Sequence, residues 1–508
     1  MHPNTPILVG SGQITRHSID AAAEIPSPAD LAGEAVNLAL ADTGVLDLAA
    51  RVDTLALVRL FADSVPGLYL HPFGSSDNLP RSVAQRAGAD PARLIYGPVG
   101  GHSPQRLVNE FAEAIARGES DLAVVSGAEA IGAAKLAGRQ GWQPDWREEV
   151  GGSFEDRGCA ALQTDFEAQH HITLPTQVYA LFENAWRHRH GLSVEAHRKL
   201  MADVLLRLNQ VARSNPLAQF PTPREHAFLA RASAENFPIA EPYNKWSVAQ
   251  DAVNQGAAVV LTSVAQAERL GIPRDKWVFL HGYADADDTW VSERPYLSTS
   301  AALKSTADAA LTMARQGTDA IQLFDLYSCF PVAVLAACEA LDIGPDDPRP
   351  LTVTGGLPFF GGPGNNYSLH GVAEMLQQLR RRPGAFGLVT ANGGYLSKQS
   401  VGIYSTRAVD DWQPADKRAE RSMQAQTPVT VDPTFSGQGS IETCSVVFRR
   451  GTPDHALMIG RSVDNTRFLA KTAEGDTDTP RKLLEGEPLG RRVSVTRAQE
   501  QCLFTLAE

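Results

Sequence analysis

The chain has 508 residues, of which 46 are Lys or Arg and 58 are Asp or Glu, so its formal net charge is −12. With 43% hydrophobic and 20% charged residues, the composition is that of a globular protein, which excludes a disordered chain, a fibre and a coiled coil. The acidic balance argues against a broad nucleic-acid interface, and we expect no nucleic-acid partner.

The chain carries no obvious targeting or membrane signal. Its first residues lack a basic segment followed by an apolar one, so no signal peptide is predicted. No stretch approaches the roughly 18 apolar residues of a membrane span. The five cysteines are scattered without a CxxC pair, so we predict neither a metal site nor a disulfide framework. We expect a cytoplasmic protein with reduced thiols.

The order of the predicted elements repeats along the chain. The first part reads as a strand, a helix and a strand, at residues 6–12, 31–41 and 52–58. The same order returns later, at residues 277–282, 301–314 and 320–326. Repeated order over this distance is typical of a duplicated fold.

A second pair of segments matches more closely. Residues 101–115 predict an amphipathic helix, because Leu107, Val108, Phe111 and Ile115 recur at helical spacing, and a buried strand follows at 122–127. Residues 364–379 and 386–391 repeat that helix and strand. The repeat predicts a duplicated α/β fold with mostly buried strands.

Two regions do not fit the repeat. Residues 128–246 are too long for a loop, so we predict an inserted subdomain, with helices at 177–186 and 194–212. Beyond residue 414 short β-rich runs alternate with turns, which predicts a small all-β domain. The predicted domains are an N-terminal half at 1–265, with its loop subdomain at about 128–246, a C-terminal half at 266–410, and a β-rich domain at 425–508.

Glycine-rich turns mark the candidate site. Gly101 and Gly364 lie in turns that open equivalent helices of the two halves, and Gly393 follows a buried strand. The first N–H groups of a helix have no internal partner, so such turns can bind an anion or an oxyanion. Tight packing is the alternative explanation for each turn alone, but their symmetric placement favours a shared cleft.

These features resemble the thiolase superfamily, in particular its sterol-carrier-protein-type branch, over residues 5–408. The segment 325–330, Asp-Leu-Tyr-Ser-Cys-Phe, resembles the His-Asp-Cys-Phe loop of that branch. Residues 355–363 resemble the Gly-Gly…Gly-His-Pro loop, and 390–394 resemble the Cys-x-Gly-Gly loop. The resemblance implies two βαβαβαββ halves in a five-layered αβαβα arrangement, with an inserted loop subdomain and an added small C-terminal all-β domain that is OB-like.

The sequence departs from the family at its reactive positions. The nucleophilic cysteine of the family falls on His102 or a neighbour, and residues 97–106 contain no cysteine. The family histidine falls on Gly362 and the second cysteine on Ala391. Thiolysis needs a thiolate, and a serine cannot replace it without an adjacent base. We therefore expect no ordinary Cys-dependent thiolase activity.

The remaining polar groups define candidate catalytic residues. Tyr327, with the Tyr-x-x-His pair Tyr367 and His370, resembles thiolase-like aldolases that use tyrosines for proton transfer. A retro-aldol step needs a base for the β-hydroxyl and donors for the developing enolate. We predict catalytic roles for Tyr327, Tyr367, His370 and His102. The alternatives are that the tyrosines are ordinary buried aromatic residues and that His102 is a capping or core residue.

The glycine-rich loops supply the candidate substrate-binding residues. We predict this role for Gly101, Ser103, Gly362, Asn365, Asn366, Asn392 and Gly393. Their N–H and amide groups could stabilise an enolate oxygen. A purely structural role in the turns is the alternative for the Asn365–Asn366 pair.

Two functions follow from these residues and the resemblance. The first is binding of acyl-CoA thioesters, with acyltransferase-family or Cys-independent, retro-aldol-like carbon–carbon chemistry in lipid or acyl-CoA metabolism. The second is a non-catalytic CoA or acyl-CoA carrier or sensor. A third alternative is a site that takes a free acid or an acyl carrier protein instead of CoA. CoA enters as a part of the substrate rather than as a cofactor, the C-terminal domain is a candidate surface for a protein partner, and the chain is expected to be a monomer or a homodimer.

Overall fold

The N-terminal half alternates strands and helices. A computed structural model describes residues 1–65 and 71–507. Up to residue 129 its elements are β1 (Pro6–Thr15), α1 (Pro28–Asp42), β2 (Thr54–Leu57), α2 (Leu79–Arg86), β3 (Arg93–Tyr96), α3 (Ser103–Ala116) and β4 (Leu122–Glu129). Helix α1 begins at a capping box in which Ser27 and Asp30 satisfy each other's backbone N–H groups.

An inserted region of mainly helical structure follows and ends where the sheet resumes. It comprises α4 (Ile131–Gln140), β5 (Glu155–Asp156), α5 (Asp165–Gln169), α6 (Pro175–Arg189), α7 (Val194–Ala212), α8 (His226–Ala230), β6 (Pro238–Ala240) and β7 (Tyr243–Asn244). The first half then closes with β8 (Gln255–Ser263) and α9 (Val264–Leu270). The helix predicted at 194–212 has the observed bounds.

The C-terminal half repeats the pattern and the chain ends in a β-rich domain. The half comprises β9 (Val278–Asp287), α10 (Ala301–Ala314), β10 (Ile321–Asp325), α11 (Pro331–Ala340), α12 (Tyr367–Arg381), β11 (Phe386–Gly393) and β12 (Lys398–Ser405). The last elements are α13 (Arg418–Gln424), β13 (Gly437–Arg449), β14 (Thr452–Ser462), β15 (Arg467–Lys471), α14 (Asp478–Leu483), β16 (Arg492–Ala498) and β17 (Gln501–Leu506).

The sheet topology confirms the predicted duplication. The strand order is β10-β11-β12-β9-β1-β8-β4-β2-β3-β5, so β10-β11-β12-β9 mirrors β2-β4-β8-β1 across the β1–β9 pair. The directions match as well: β10 and β11 are parallel like β2 and β4, while the next two pairs in each set are antiparallel.

Helices α3 and α12 form the middle layer of the molecule. Their apolar faces, including Phe111 and Val372, share one buried cluster with residues of both sheet halves. Helices α1 and α2 cover the outer face of the first half, and α10 and α11 cover that of the second. The fold is therefore the predicted five-layered α/β arrangement, because each face of each sheet half is covered by helices.

The C-terminal domain is β-barrel-like. Strands β13, β14, β15, β17 and β16 pair in that order, and β13 pairs with both β14 and β16, which closes the ring. The prediction of a small all-β domain is confirmed, whereas the OB-like character and the domain bounds stay predictions. None of the helices in the described ranges combines the length and apolar character that crossing a membrane requires.

The barrel-like domain packs tightly on the inserted region. Ala240 of β6 pairs with Val447 of β13, so the two regions share one sheet. The fully buried guanidinium of Arg467 binds the Glu442 carboxylate and donates to the carbonyls of Ser292 and Arg294. This side chain therefore joins the barrel-like domain to the C-terminal half.

We predict that Arg467→Leu lowers the free energy of unfolding by about 2–5 kcal/mol, because it leaves two buried carbonyls without a donor and removes one of the two guanidinium groups that bind Glu442. The matched control is Arg461→Leu, since Arg461 also binds Glu442 but is partly exposed and makes only a local carbonyl contact. The control loss is expected below about 1 kcal/mol. Urea unfolding followed by circular dichroism measures both, and equal losses would contradict the docking role of Arg467.

Candidate functional site

A cavity of about 580 Å³ lies where the loops of both halves meet the inserted region. Of the residues predicted from the sequence, those that line it are Gly101, Tyr327, Gly362, Asn365, Asn392 and Gly393. The inserted region adds Tyr179 of α6, which stacks on Phe330 with ring centroids 4.3 Å apart. The cavity is thus built from three parts of the chain: the N-terminal half, the C-terminal half and the inserted region.

Tyr327 presents its hydroxyl to the Gly101 turn. A Cβ atom at Gly101 would lie 2.1 Å from Tyr327 Oη and 2.6 Å from the Asn392 carbonyl oxygen, so only glycine fits there. The backbone N–H of Tyr327 donates to Thr390 Oγ1 at 2.9 Å, which fixes the loop. Within the described residues neither the Tyr327 hydroxyl nor the Gly101 N–H makes a hydrogen bond.

Burial keeps the Tyr327 hydroxyl neutral. Loss of hydration raises the pKa of Tyr327 far above its ordinary value of 10, and the neighbouring Cys329 adds to the shift. A neutral phenol donates a hydrogen bond but does not take up a proton near pH 7. Tyr327 therefore suits the role of a donor to a carbonyl or enolate oxygen better than that of the base in a retro-aldol step.

Asn392 and Cys329 line the cavity as well. Asn392 donates from Nδ2 to Tyr179 Oη at 2.8 Å, and its Oδ1 accepts from Gln399 at 3.1 Å. Burial raises the pKa of the Cys329 thiol to about 12. The thiol is therefore protonated at neutral pH, and a thiol is a much weaker nucleophile than a thiolate.

Asn365 and Gly362 line the cavity, but their polar groups form hydrogen bonds with other parts of the protein. Asn365 Oδ1 accepts from the Gly100 N–H at 3.1 Å, and its Nδ2 donates to the Arg59 carbonyl and to Ser64 Oγ, both at 2.9 Å. The Gly362 N–H donates to the Gln250 carbonyl at 2.8 Å. Both groups thus hold the cavity wall, and neither leaves a donor for an enolate oxygen.

Two predicted residues at the start of α3 do not line the cavity. His102 is buried, and a Cβ atom on Gly393 would lie 2.3 Å from its Nδ1, which shows how closely the imidazole packs on that loop. Burial lowers the pKa of His102 well below 6.5, so the ring is neutral. Ser103 is also fully buried, and its Oγ has no partner within the described residues.

Helix α12 directs its predicted residues away from the cavity. Tyr367 packs edge-on behind Tyr327, with ring centroids 5.4 Å apart, and its hydroxyl bonds to Thr354 Oγ1 at 2.7 Å. His370 Nδ1 lies 2.8 Å from Gln13 Oε1 on β1, and burial lowers its pKa to about 3. Asn366 donates to the Gly127 carbonyl at 2.7 Å. Of the four predicted catalytic residues, only Tyr327 lines this cavity.

Glu129 is a buried acid that the sequence interpretation did not single out. It ends β4, and its Oε1 accepts from the Phe61 N–H at 2.6 Å. Burial raises the pKa of Glu129 to about 8, and the nearby Asp63 and Asp251 carboxylates contribute. The sequence did contain a signal for this residue, because Glu129 is the one charged residue of an apolar strand that was predicted to be buried. Tyr179 offered no such signal, because it reaches the cavity only through the packing of α6.

Within the described residues no group of three or more His, Cys, Asp or Glu side chains could hold a metal ion. The cavity wall combines neutral hydrogen-bond donors with apolar side chains, and its carboxylate, Asp251, is paired with Lys135 at 2.7 Å. Such a site suits an uncharged acceptor, such as a thioester carbonyl, attached to an apolar chain.

Comparisons with known proteins define the family. Residues 420–500 match the model of the thiolase-like protein type 1 additional C-terminal domain. The crystal structure of a monomeric SCP2-thiolase-like protein type 1 from Mycobacterium smegmatis is 38% identical, with a TM-score of 0.85 and 100% of both chains covered. The chain therefore belongs to the SCP2-thiolase-like protein type 1 family, within the thiolase superfamily.

More distant matches cover smaller parts of the chain, and the two solved structures among them share its fold. A 3-ketoacyl-CoA thiolase from Salmonella heidelberg is 34% identical over 152 residues, which cover 27% of this chain and 33% of the relative. The human mitochondrial 3-ketoacyl-CoA thiolase is 16% identical, with a TM-score of 0.56 over 79% of this chain and 99% of its own. The Ltp2-ChsH2(DUF35) aldolase is 20% identical, with a TM-score of 0.57 over 79% of this chain and 98% of its own.

We predict that Gly101→Ala lowers the free energy of unfolding by about 1–3 kcal/mol, because the added methyl group overlaps Tyr327 Oη and the Asn392 carbonyl. The control is Gly138→Ala on α4, where a Cβ atom meets nothing within 4 Å and helix propensity favours alanine by about 1 kcal/mol. Thermal unfolding distinguishes the two. Equal stability of the two variants would contradict the close approach at Gly101.

The raised pKa of Glu129 predicts a pH-dependent stability. Between its ordinary pKa of 4.5 and about 8, the folded state holds a proton that the unfolded state has lost, so stability falls as pH rises through this window. Glu129→Gln is expected to reduce this fall by a few kcal/mol. The exposed Glu474→Gln is the control. Urea unfolding at pH 5 and pH 8 measures the difference, and identical pH slopes for Glu129→Gln and wild type would contradict it.

Proposed function

We propose that the chain binds acyl-CoA thioesters in the cavity beside Gly101 and Tyr327. The observation that carries the proposal is the close approach of the Tyr327 hydroxyl to Gly101 at the cavity wall, where neither that hydroxyl nor the Gly101 N–H has a hydrogen-bond partner among the described residues. A donor that faces the cavity without a protein partner is available to a ligand, and a thioester carbonyl that accepts from the Tyr327 hydroxyl would use it. Membership of the family, whose wider superfamily includes 3-ketoacyl-CoA thiolases, supports CoA as the carrier of the acyl group.

The same geometry favours binding without thiolysis. No cysteine lies within residues 97–106, and Cys329, which does line the cavity, is a protonated thiol. Thiolysis through an acyl-cysteine needs a thiolate in contact with the thioester. We therefore propose a carrier or sensor of acyl-CoA as the function that the cavity supports best.

A Cys-independent, retro-aldol-like reaction is the second candidate. One specific observation favours it: a phenol that donates to the thioester oxygen also stabilises the enolate that forms when the carbon–carbon bond breaks. The reaction further needs a base for the β-hydroxyl group. His102 and His370 lie outside the cavity. Among the described residues that line it, Asp251 carries a carboxylate, but that group is paired with Lys135 at 2.7 Å, so no unpaired base faces the substrate.

We also propose that the C-terminal domain binds a protein partner. Its strands β6 and β13 are already paired through Ala240 and Val447, so a partner would bind elsewhere on the barrel-like domain. A monomer or homodimer and a cytoplasmic location stay predictions from the sequence.

We predict that the purified chain binds CoA and acetyl-CoA in isothermal titration, and that Tyr327→Phe weakens acetyl-CoA binding by about 2- to 12-fold while leaving free CoA unchanged. The range corresponds to the loss of one net hydrogen bond, of about 0.5–1.5 kcal/mol, and free CoA has no thioester carbonyl to accept it. The matched control is Tyr296→Phe, because Tyr296 is 71% exposed and does not line the cavity.

Mass spectrometry after incubation with acetoacetyl-CoA and a β-hydroxyacyl-CoA separates the two candidates. Binding without products supports the carrier or sensor. Cleavage of the β-hydroxyacyl-CoA that is lost in Tyr327→Phe supports the retro-aldol reaction. Absence of binding to every thioester would overturn the proposal, as would equal weakening by Tyr327→Phe and Tyr296→Phe.

A further inference from the structure

A separate cavity lies between the loop that follows β9 and the segment that follows α13. It encloses about 230 Å³, and none of the described residues that line it also lines the cavity beside Tyr327. One wall is the loop with the start of α10, and the other is formed by Gln426 and Thr427. The Val429 N–H donates to the Glu293 carbonyl at 2.8 Å, which holds the two segments together.

Arg294 brings a poorly satisfied guanidinium to this cavity. Its side chain lines the wall and is only 3% exposed. The Nε–H donates to the Thr289 carbonyl at 3.1 Å, and Cζ lies 5.2 Å from the ring centroid of Phe182. Among the described residues neither terminal nitrogen has a hydrogen-bond partner, and Nη2 is buried. A guanidinium has five N–H donors, so four of them lack a protein acceptor.

The start of α10 adds a further donor to the same cavity. Ala301, the first residue of this helix, lines the wall. Ser300 caps the helix by accepting from the Leu303 N–H at 3.3 Å, but within the described part of the chain the Ala301 N–H has no partner. The positive end of the helix dipole therefore lies at the same cavity as Arg294, and both groups favour an anion.

The acids around Arg294 limit the charge that this cavity accepts. Asp288 also lines it, and its Oδ1 lies 3.9 Å from Arg294 Nε, which is too far for a hydrogen bond. Loss of hydration lowers the pKa of Arg294, while the Asp288 and Glu167 carboxylates oppose that change. A dianion such as phosphate would be repelled by these acids. A carboxylate has one negative charge and two oxygens that match the planar guanidinium.

From these observations we propose that this cavity binds a small monocarboxylic acid, whose carboxylate accepts from Arg294 and from the start of α10. The carbon atoms of the acid pack against Pro295 and Tyr296, which line the same cavity. The bound carboxylate supplies acceptors to guanidinium donors that have none in the protein. The acid is a second ligand, separate from the acyl-CoA of the proposed function, because the two cavities have no described lining residue in common.

Fluorine NMR of para-fluorobenzoate with the full purified chain tests this proposal, because the line of the free acid broadens when it binds. We expect acetate to displace the probe, and phosphate at the same concentration and ionic strength to displace it less. Arg294→Gln should weaken binding of the probe roughly 10- to 150-fold, since it removes a charged hydrogen-bond donor. The matched control is Lys304→Gln, which removes the same charge from the exposed side of α10, where Lys304 pairs with Asp308. The control should change binding by less than about two-fold.

A second variant keeps the test decisive if Arg294→Gln does not fold. Gln426→Glu preserves the shape of a side chain that lines the cavity and adds a carboxylate to its wall. It should therefore prevent binding of the acid and raise the unfolding temperature. Binding that persists in both variants would overturn the proposal. Absence of binding to the wild-type chain would do the same, as would stronger displacement by phosphate than by acetate. These outcomes are independent of acyl-CoA binding, which Tyr327→Phe tests.

Discussion

Helices α3 and α12 begin beside each other at the centre of the molecule. Hydrogen bonds between their N-terminal segments hold the cavity together. Ser368 Oγ in the first turn of α12 donates to the Gly101 carbonyl at 2.8 Å, while Asn365 accepts from the Gly100 N–H. These bonds cross between the two halves of the duplicated fold. The glycine turn, the Tyr327 hydroxyl and the adjoining walls keep their positions only while the two helix starts stay in register.

The duplicated fold could be predicted from the sequence because it rests on local patterns. Helical spacing at Leu107, Val108 and Phe111, and the uncharged strands that follow each central helix, predict elements directly. The pairing of β13 with β6 could not be predicted in the same way. It joins residues about two hundred positions apart, and no local pattern records such a pairing.

The candidate site was predicted less completely, for a geometric reason. Nearness in sequence to a glycine-rich loop does not fix where a side chain points, since each residue of a helix turns by about 100° from the last. Tyr367 and His370 thus face Thr354 and Gln13 instead of the cavity. Tyr327 reaches the cavity because it lies in the loop after β10 and not on a helix.

Helix α6 contacts the cavity and the barrel-like domain within two of its turns. Tyr179 stands at the cavity, while the Leu181 carbonyl accepts from Thr443 Oγ1 at 2.6 Å and Asn184 donates to the Cys444 carbonyl at 3.0 Å. A rigid helix moves as one unit. If occupation of the cavity displaces α6, its contacts with the barrel-like domain change as well, and the free energies of the two interactions are no longer additive. Linkage then requires that each interaction change the equilibrium constant of the other by the same factor.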